Sequence, residues 1–361
     1  MRVKLKDVCE KATSNLKQSD ILSIGGTYPV YGASGYLGNI DSYHQDKPYI
    51  AVVKDGAGIG RTTILPPKSS VIGTMQYLIP KENVMPGYLY YVVKHMRLQK
   101  YYTGATIPHI YFKDYQNEEF NLADSIRQRE IVKVLKNVED TIRYQEIEIN
   151  KFDELIKARF IEMFGDLRIN DKAWDLKTFE EMSVLITDGE HSTPKRTKEG
   201  IYLLSARNVL NHSLQLEDVD YINRDEYLRI AKRVIPKKGD ILISCSGTIG
   251  RCCSVPDYLQ FQMVRSVALI RFKEVINPIF AEYMITSDYL QEQINSSKTM
   301  SSQANLFQGM IKKLKGFLPP IELQQQFADF VQQVDKSREA VKKSLEKTQQ
   351  LYDSLMQEYF G

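Results

Sequence analysis

The chain has 361 residues, of which 43% are hydrophobic and 26% are charged, and its formal net charge is +3. This length suits two domains with connecting segments better than one domain, and the apolar fraction allows each to bury a core. Because the sequence has no apolar run long enough to cross a membrane and no signal-peptide core, we expect a soluble, cytoplasmic protein. The small net charge is compatible with a nucleic-acid partner but does not require one.

The first segment, residues 1–122, is predicted to form a mixed domain. The apolar run 49–53 has the length of a buried strand, and the glycines that follow it mark a turn. The segment 56–60 (GAGIG) resembles a phosphate-binding loop, but no helical pattern follows it, so we favour a tight turn between strands. Residues 86–102 then predict a single helix with an aromatic inner face.

The next segment, residues 123–165, predicts a long helix. Apolar residues from Ile131 to Met163 recur at steps of three, four or seven, and neither Gly nor Pro interrupts them before Gly165. A helix roughly 50 Å long with one apolar stripe needs a partner that covers the stripe.

The remainder of the chain repeats this organisation. An apolar run at 241–243 precedes a Gly-Arg turn, as in the first half, and residues 278–294 predict a helix that corresponds to 86–102. Four apolar positions of the first long helix recur with the same spacing: Ile131, Val134, Leu135 and Val138 correspond to Phe327, Phe330, Val331 and Val334. We therefore predict a second domain over residues 166–316 and a second long helix over 317–361.

The repeat predicts an α+β fold of two globular domains separated by two long antiparallel helices, with a pseudo-two-fold relation between the halves. The elements do not alternate as strand–helix–strand units, so a doubly wound nucleotide-binding sheet is not expected. The long helices are predicted to cover each other within one chain. The alternative is a coiled coil between two copies of the chain.

No catalytic motif emerges from the sequence. An adenine methyltransferase needs a glycine-rich cofactor loop and an Asn/Asp-Pro-Pro-aromatic tetrapeptide, and neither Pro-Pro pair, 66–67 or 319–320, follows Asn or Asp. There is no Walker motif and no convincing carboxylate pair for metal-assisted hydrolysis. The cysteines are Cys9, Cys245, Cys252 and Cys253. Their spacing fits neither a zinc site nor a disulfide framework, so we predict no metal. Because the catalytic motifs above are missing, we also predict no catalytic residues.

The segment from Leu318 to Gln326 (LPPIELQQQ), together with the helical tail that follows, resembles the specificity subunits of Type I restriction–modification systems. It is similar to the start of the C-terminal helical region of that family. Ala123-Asp124 stands where the first helix would have the corresponding Pro-Pro pair.

Several shorter segments resemble the target recognition domains of the same family. They are residues 28–35, 106–110 and 187–194, and the Gly-Arg turns at Arg61 and Arg251. The resemblance covers nearly the full chain in the order recognition domain, helix, recognition domain, helix.

The resemblance implies a non-catalytic protein that binds double-stranded DNA. Each recognition domain would read one half of a bipartite, asymmetric target, and the helices would space the two half-sites. Two methyltransferase subunits carrying S-adenosylmethionine would dock on the chain, which itself holds no cofactor, and translocating restriction subunits would join them. No membrane partner is expected.

Side-chain chemistry indicates which residues could contact DNA, because phosphates bind Lys, Arg, Ser, Thr and backbone amides while base edges bind Arg, Asn, Gln or Lys. In the first domain they are Tyr31, Ser34, Lys54, Arg61, Thr106, His109 and Lys113. In the second they are His191, Thr193, Lys195, Arg207, Asn208, Ser246, Arg251, Ser302, Gln303 and Asn305. The competing interpretation for each is a polar residue that stabilises a loop.

Two functions of other classes stay open at this point. The chain could be a self-contained restriction endonuclease, which would cut DNA with Mg²⁺. It could instead be a coiled-coil adaptor that does not bind DNA, which a gel shift without sequence preference would support.

Overall fold

The structure is a computed structural model that describes residues 1–21, 25–104, 108–296 and 305–361. The chain forms two compact units, one comprising Met1–Glu148 with Val341–Gly361 and the other Ile149–Ala340. Each unit therefore contains one globular domain and a part of both long helices.

The first half of the chain supplies nine strands and four helices in the described residues. They are β1 (Arg2–Lys4), α1 (Leu5–Val8), β2 (Cys9–Thr13), β3 (Tyr28–Gly32), β4 (Gly35–Ile40), β5 (Tyr49–Val53), β6 (Thr62–Leu65), β7 (Ser70–Val71), β8 (Met75–Pro80), α2 (Pro86–His95), α3 (Phe112–Tyr115), β9 (Glu119–Asn121) and α4 (Ser125–Phe164).

The second half supplies the following elements. They are β10 (Asp175–Thr178), α5 (Phe179–Met182), β11 (Ser183–Asp188), β12 (Arg196–Thr197), β13 (Ile201–Leu204), β14 (Val209–Leu210), β15 (Ser213–Leu214), β16 (Asp220–Ile222), α6 (Arg224–Ala231), β17 (Ile241–Ser244), β18 (Cys252–Ser254), β19 (Phe261–Met263), β20 (Val267–Phe272), α7 (Pro278–Thr286), α8 (Asp288–Ser296), α9 (Gln308–Lys313), β21 (Lys315–Leu318) and α10 (Ile321–Phe360).

The first domain is built on a four-stranded sheet with the order β2-β8-β5-β6. All its neighbouring strands are antiparallel, and every residue of the central strand β5 is buried. A three-stranded sheet, β4-β3-β7, and the pair β1-β9 complete the described strands. The run 49–53 is therefore a core strand because both of its faces are covered, as its continuous hydrophobicity indicates.

The second domain repeats the main sheet with the order β11-β20-β17-β18, again antiparallel throughout. A second sheet has the order β12-β16-β13-β19, in which β13 and β19 run parallel. The first domain has the same parallel pairing between β3 and β7. The predicted α+β class with an internal repeat is confirmed.

The two predicted single helices, 86–102 and 278–294, are each divided into two pieces. After α2, Arg97 adopts a left-handed conformation with φ of 49° and begins a short 3₁₀ segment, Leu98–Tyr101. After α7, Ser287 is extended, and its hydroxyl donates a hydrogen bond to the carbonyl oxygen of Met284. The aromatic periodicity did not reveal these breaks because the apolar pattern continues across them.

Both long helices begin later than the predicted boundaries of 123 and 317. The side chain of Asp124 accepts hydrogen bonds from the backbone N–H groups of Ile126 (2.9 Å) and Arg127 (2.8 Å) and so caps α4. Before α10, residues 315–318 form strand β21, which pairs with β10, so the second helix starts later than the predicted 317. Strand pairing decides this boundary, and a single sequence does not show it.

A buried glutamine fixes each domain to its long helix. The amide oxygen of Gln128 accepts a hydrogen bond from the backbone of Met85 (2.8 Å), and its nitrogen donates to the carbonyl oxygens of Asn83 and Ala123. Gln324 makes the equivalent three bonds with the backbone of residues 277, 275 and 319. Both side chains are almost fully buried. Each amide therefore forms hydrogen bonds with backbone N–H and C=O groups that would otherwise lack partners.

Within each unit, α4 and α10 pack against each other and run antiparallel. In the first unit, Glu139 accepts hydrogen bonds from the hydroxyl groups of Tyr91 (2.8 Å) and Tyr352 (2.9 Å). In the second unit, Arg338 pairs with Asp153 at 2.6 Å. These pairs lie within one chain, as the antiparallel helices of the prediction require.

Each unit has its own apolar core, which includes residues of both long helices. In the first unit, Ile131 and Leu135 of α4 and Met356 and Phe360 of α10 belong to the same cluster as Tyr88 of α2. In the second unit, Phe160 and Phe164 of α4 pack with Phe280 of α7 and Phe327 of α10. The apolar stripes are covered mainly by the domains and by each other.

All four cysteines are buried and free. In the described parts of the chain, no group of three or more His, Cys, Asp or Glu side chains is arranged to hold a metal ion. No described helix is both long and apolar enough to span a membrane.

Candidate nucleic-acid interface

Several of the predicted residues of the first domain meet at one edge of its main sheet. Lys54 follows β5, and Arg61 immediately precedes β6. The backbone N–H of Val53 donates to the carbonyl oxygen of Arg61 (2.9 Å), and that of Lys54 donates to Thr74, just before β8. The turn between these residues uses glycines with positive φ at Gly56, Gly58 and Gly60, which accounts for the GAGIG segment as a hairpin turn.

The segment that precedes α3 places His109 at this edge. Its Nδ1 lies 2.7 Å from Oδ1 of Asp55, and the backbone N–H of Ile110 donates to the carbonyl oxygen of Lys54. Lys54 also bonds the carboxylate of Asp55. Burial alone would raise the pKa of Asp55, but the bonds from His109 and Lys54 outweigh it and lower that pKa below its ordinary value. Asp55 is therefore an anion at neutral pH, held between two nitrogen groups.

Lys113 lies next to the same surface, and the ring of Tyr111 connects it to His109. The ring of Tyr111 stacks on that of His109 with centroids 6.4 Å apart, and the ammonium of Lys113 lies 5.3 Å from the Tyr111 ring centroid. Both Tyr111 and Lys113 are exposed.

Arg61 connects this edge to the hairpin formed by β3 and β4. Its Nη1 donates a hydrogen bond to the carbonyl oxygen of Ala33 (2.9 Å), which precedes the exposed turn residue Ser34. On the same hairpin, the half-buried ring of Tyr31 packs edge-on against the exposed ring of Tyr36. Six of the seven predicted residues of the first domain therefore lie on this edge or the adjoining hairpin. Thr106 lies outside the described residues.

The second domain presents the equivalent edge. Ser246 follows β17 as Asp55 follows β5, and it forms a backbone bridge with Asn305 as Asp55 does with His109. The Ser246 hydroxyl lies 3.0 Å from Oδ1 of Asn305. Ser302 and Gln303 lie outside the described residues.

Arg251 occupies the position of Arg61 but is less accessible. The backbone N–H of Ser244 donates to its carbonyl oxygen (2.9 Å), which closes this hairpin in the same way. The Arg251 side chain is half-buried, and its Nε is buried without a hydrogen-bond partner in the described structure. The two arginines share a place in the fold but differ in exposure.

The loop after β11 carries His191, Thr193 and Lys195 at the same edge, and all three are exposed. His191 lies 3.1 Å from the carboxylate of Asp188, the last residue of β11. The loop is anchored at Glu190, whose pKa is lowered by hydrogen bonds from Ser192 and by the charge of Arg229. These bonds hold the loop that carries the three exposed side chains in place.

Two predicted residues, Arg207 and Asn208, have structural partners. Asn208 is 1% exposed, and its amide bonds Ser205, Gln215 and Asp218, so it holds a loop rather than reaching DNA. Arg207 is exposed but pairs with Asp220 at 3.2 Å. The prediction that Asn208 contacts DNA is therefore corrected. A side-chain amide can hydrogen-bond the backbone of a loop as readily as the edge of a base, so its chemistry alone does not distinguish these two roles.

Three further residues of these edges are not among the predicted contacts. Asp55 and Tyr111 are each close in the chain to predicted residues. Arg265 lies exposed in the turn between β19 and β20, where its backbone N–H donates to Glu190. Its side chain makes no ion pair with the described residues. The signal available for Arg265 was a lone arginine between two apolar strands.

Comparison with known proteins places the chain in a family. The family model described as "Type I restriction modification DNA specificity domain" matches residues 1–152 and 172–350. These two matches cover most of the chain, one for each domain. The chain belongs to the Type I restriction–modification DNA specificity family.

Similar proteins support this membership. The Type I restriction enzyme MjaVIII specificity subunit of Methanocaldococcus jannaschii is 21% identical over 328 residues, which span 85% of this chain and 77% of that protein. The fold resembles the crystal structure of a Type I restriction–modification S subunit from M. genitalium, with a TM-score of 0.64 and 14% identity over 100% of this chain and 96% of that one. It also resembles a chain from a study of Type I complex assembly, with a TM-score of 0.61 and 13% identity over 99% and 97%.

Family membership identifies the role of the chain in sequence recognition. A Type I specificity protein determines which DNA sequence is recognised, and in this one each matched segment contains one main sheet with one polar edge. The two edges share backbone hydrogen bonds and differ in side chains.

Proposed function

We propose that this chain reads a bipartite, asymmetric DNA target, with one half-site bound by the polar edge of each domain. The observation that carries the proposal is the equivalence of the two edges. In each, residues after the central strand, the Gly-Arg turn and a returning loop meet at the same place, and their side chains differ. DNA contacts from Lys, Arg and hydroxyl groups would position the domains, and His and Asn groups would reach base edges.

We also propose that the chain is not catalytic and works through partners. Two methyltransferase subunits, with S-adenosylmethionine bound to them and not to this chain, would carry out methylation, and restriction subunits would join for cleavage. The support is that the sequence lacks the cofactor loop and the tetrapeptide that adenine methylation needs. The complex would act in the cytoplasm on double-stranded DNA.

Methylation with and without the partner subunits tests this function. The purified chain alone should transfer no methyl group and cut no DNA, whereas the chain with its methyltransferase subunits and S-adenosylmethionine should methylate one bipartite sequence. Mapping methylated bases over a randomised target library would give both half-sites and the gap.

Three results would contradict the proposal. Methyl transfer by the chain alone would show an active site within it, and cutting of DNA with Mg²⁺ alone would show a self-contained endonuclease. Methylation by the complex without any sequence preference would show that the chain does not read DNA.

A further inference from the structure

One turn occupies the same place in both domains. It spans residues 72–74 between β7 and β8 in the first domain and residues 264–266 between β19 and β20 in the second. In each case it connects a strand that pairs in parallel, β7 with β3 and β19 with β13, to a strand of the main sheet. The N–H of the residue after each turn donates to the carbonyl oxygen of the first turn residue, at 3.0 Å and 2.9 Å.

Backbone hydrogen bonds tie the second-domain turn to three other segments of the polar edge. The N–H of Val264 donates to the last residue of β13 (2.9 Å), and that of Arg265 donates to Glu190 in the loop after β11 (3.0 Å). The carbonyl oxygen of Ser266 accepts from the N–H of Cys245, directly after β17 (2.8 Å). Predicted DNA contacts follow all three strands, so the turn lies in the middle of the edge.

The first domain makes the same bonds around its own turn. The N–H of Ile72 donates to β3 (3.0 Å), and that of Gly73 donates to Leu16 in the loop after β2 (2.8 Å). The carbonyl oxygen of Thr74 accepts from the N–H of Lys54, directly after β5 (3.0 Å). Gly73 therefore corresponds to Arg265. The backbone is the same in both copies, but only the second domain carries a side chain at this position.

That side chain has no partner among the described residues. Arg265 is exposed, and its guanidinium forms neither an ion pair nor a hydrogen bond with them. The other arginines of this region differ, because Arg207 and Arg229 pair with carboxylates and Arg251 is half-buried. A guanidinium is charged at every physiological pH and presents its donors as a planar fork. Arg265 thus combines a fixed backbone with donors that can bind an external acceptor.

The place of Arg265 within the edge favours a base over a phosphate as that acceptor. Phosphates line the two sides of a DNA groove, and the base edges lie between them on its floor. Side chains in the middle of a contact surface therefore face bases, while those around it face phosphates. Guanine shows two acceptors in the major groove, N7 and O6, and these match two donors of an arginine.

We propose that Arg265 is a specificity-determining residue, through which the second domain selects guanine at one position of its half-site. Gly73 gives the first domain no equivalent contact, so this position distinguishes the two half-sites. The inference rests on the proposed function and assigns one base of the target to a particular side chain.

Substitution of Arg265 is the test, made in the complete complex with its methyltransferase subunits. Arg265→Ala should relax guanine selection at one base pair by roughly 10- to 100-fold, and the other half-site and the gap should stay the same. Arg265→Gln should shift the preference at that base pair from guanine toward adenine, because a carboxamide matches N6 and N7 of adenine. Methylation mapping over a randomised target library measures both changes.

The salt dependence of binding separates a base contact from a phosphate contact. Arg265→Ala should leave the slope of log affinity against log salt unchanged, because no phosphate charge loses its partner. Lys238→Ala is the matched control. Lys238 is an exposed cation beyond the opposite end of β17, and its loss should change neither half-site nor the salt slope.

Each contrary outcome has a distinct meaning. A folded Arg265→Ala complex that keeps full selection at every position, or that loses selection at a base pair without guanine, would overturn the assignment. Equal loss of affinity for all sequences, with a salt slope lower by about one unit, would overturn it by showing a phosphate contact. Failure of the unmodified complex to recognise any bipartite target would overturn the proposed function itself.

Discussion

At the scale of single residues, the edge of each main sheet depends on side chains that have partners within the protein. Arg61 donates to Ala33, Lys54 bonds Asp55, and His191 contacts Asp188. Side chains held in this way lose little conformational entropy on binding, which favours their use as contacts. The same bonds show why residue type alone was a weak guide, because Asn208 has equally suitable chemistry and is buried.

Arg61 is expected to contact a DNA phosphate. Its side chain is exposed beside a glycine-rich turn. Replacing Arg61 with Ala should weaken binding similarly for all sequences and lower the slope of log affinity against log salt by about one unit. Titrations at several salt concentrations measure both effects.

Lys6→Ala is the matched control for this prediction. Lys6 is exposed on α1, at the end of the sheet opposite to Arg61, and its loss should leave the salt slope unchanged. A folded Arg61→Ala protein with unchanged affinity would show that the arginine only supports the hairpin.

The buried glutamines should matter for stability rather than for DNA contact. Gln128→Leu or Gln324→Leu leaves one backbone N–H and two carbonyl groups without partners, so each should lower the free energy of unfolding by about 3 kcal/mol. Gln326→Leu changes an exposed glutamine on the same helix and should stay within about 0.5 kcal/mol. Urea denaturation compares the three, and equal effects would refute the role of the buried amides.

At the scale of elements, α4 and α10 are continuous helices of 40 residues each, and each contributes to both units. They are paired within the first unit, for example from Gln145 to Ser344 at 2.8 Å, and within the second, from Asp153 to Arg338. Lengthening one helix alone would shift one of these pairs out of register, so a test of spacing has to lengthen both.

Inserting four residues after Glu148 and four after Ala340 should lengthen the gap between half-sites by one or two base pairs. Four helical residues add about 6 Å and roughly preserve the apolar stripe. Methylation mapping with the partner subunits would measure the gap, and both half-site sequences should be unchanged. A folded, active variant that keeps the original gap would show that the helices do not determine it.

At the scale of the whole molecule, the first unit depends on the C-terminal end of the chain. Tyr352, Met356 and Phe360 of α10 are buried in the core that contains Ile131 and Leu135. Residues 341–361 therefore belong to the first unit, although they are far from its other residues in the chain.

Ending the chain after Ala340 should destabilise the first unit and leave the second folded. Loss of large buried side chains costs about 2–5 kcal/mol each, which approaches the whole stability of a domain. Hydrogen exchange should show lost protection in residues 1–122 and retained protection in 166–316. The milder variant Phe360→Ala should lower the stability of the first unit by about 3–4 kcal/mol, and equal loss in both units would contradict the division.

The sequence by itself determined the class of fold, the internal repeat and the two long helices, because hydrophobic period and the recurrence of apolar positions are local signals. It also indicated most residues of the two edges through glycine turns and polar side chains beside apolar strands.

The sequence did not determine which of these residues lie next to each other. The pairing of His109 with Asp55, the burial of Asn208 and the breaks at Arg97 and Ser287 depend on strand register and on contacts between residues far apart in the chain. Those contacts exist only after the sheets have formed, so the tertiary structure alone decided them.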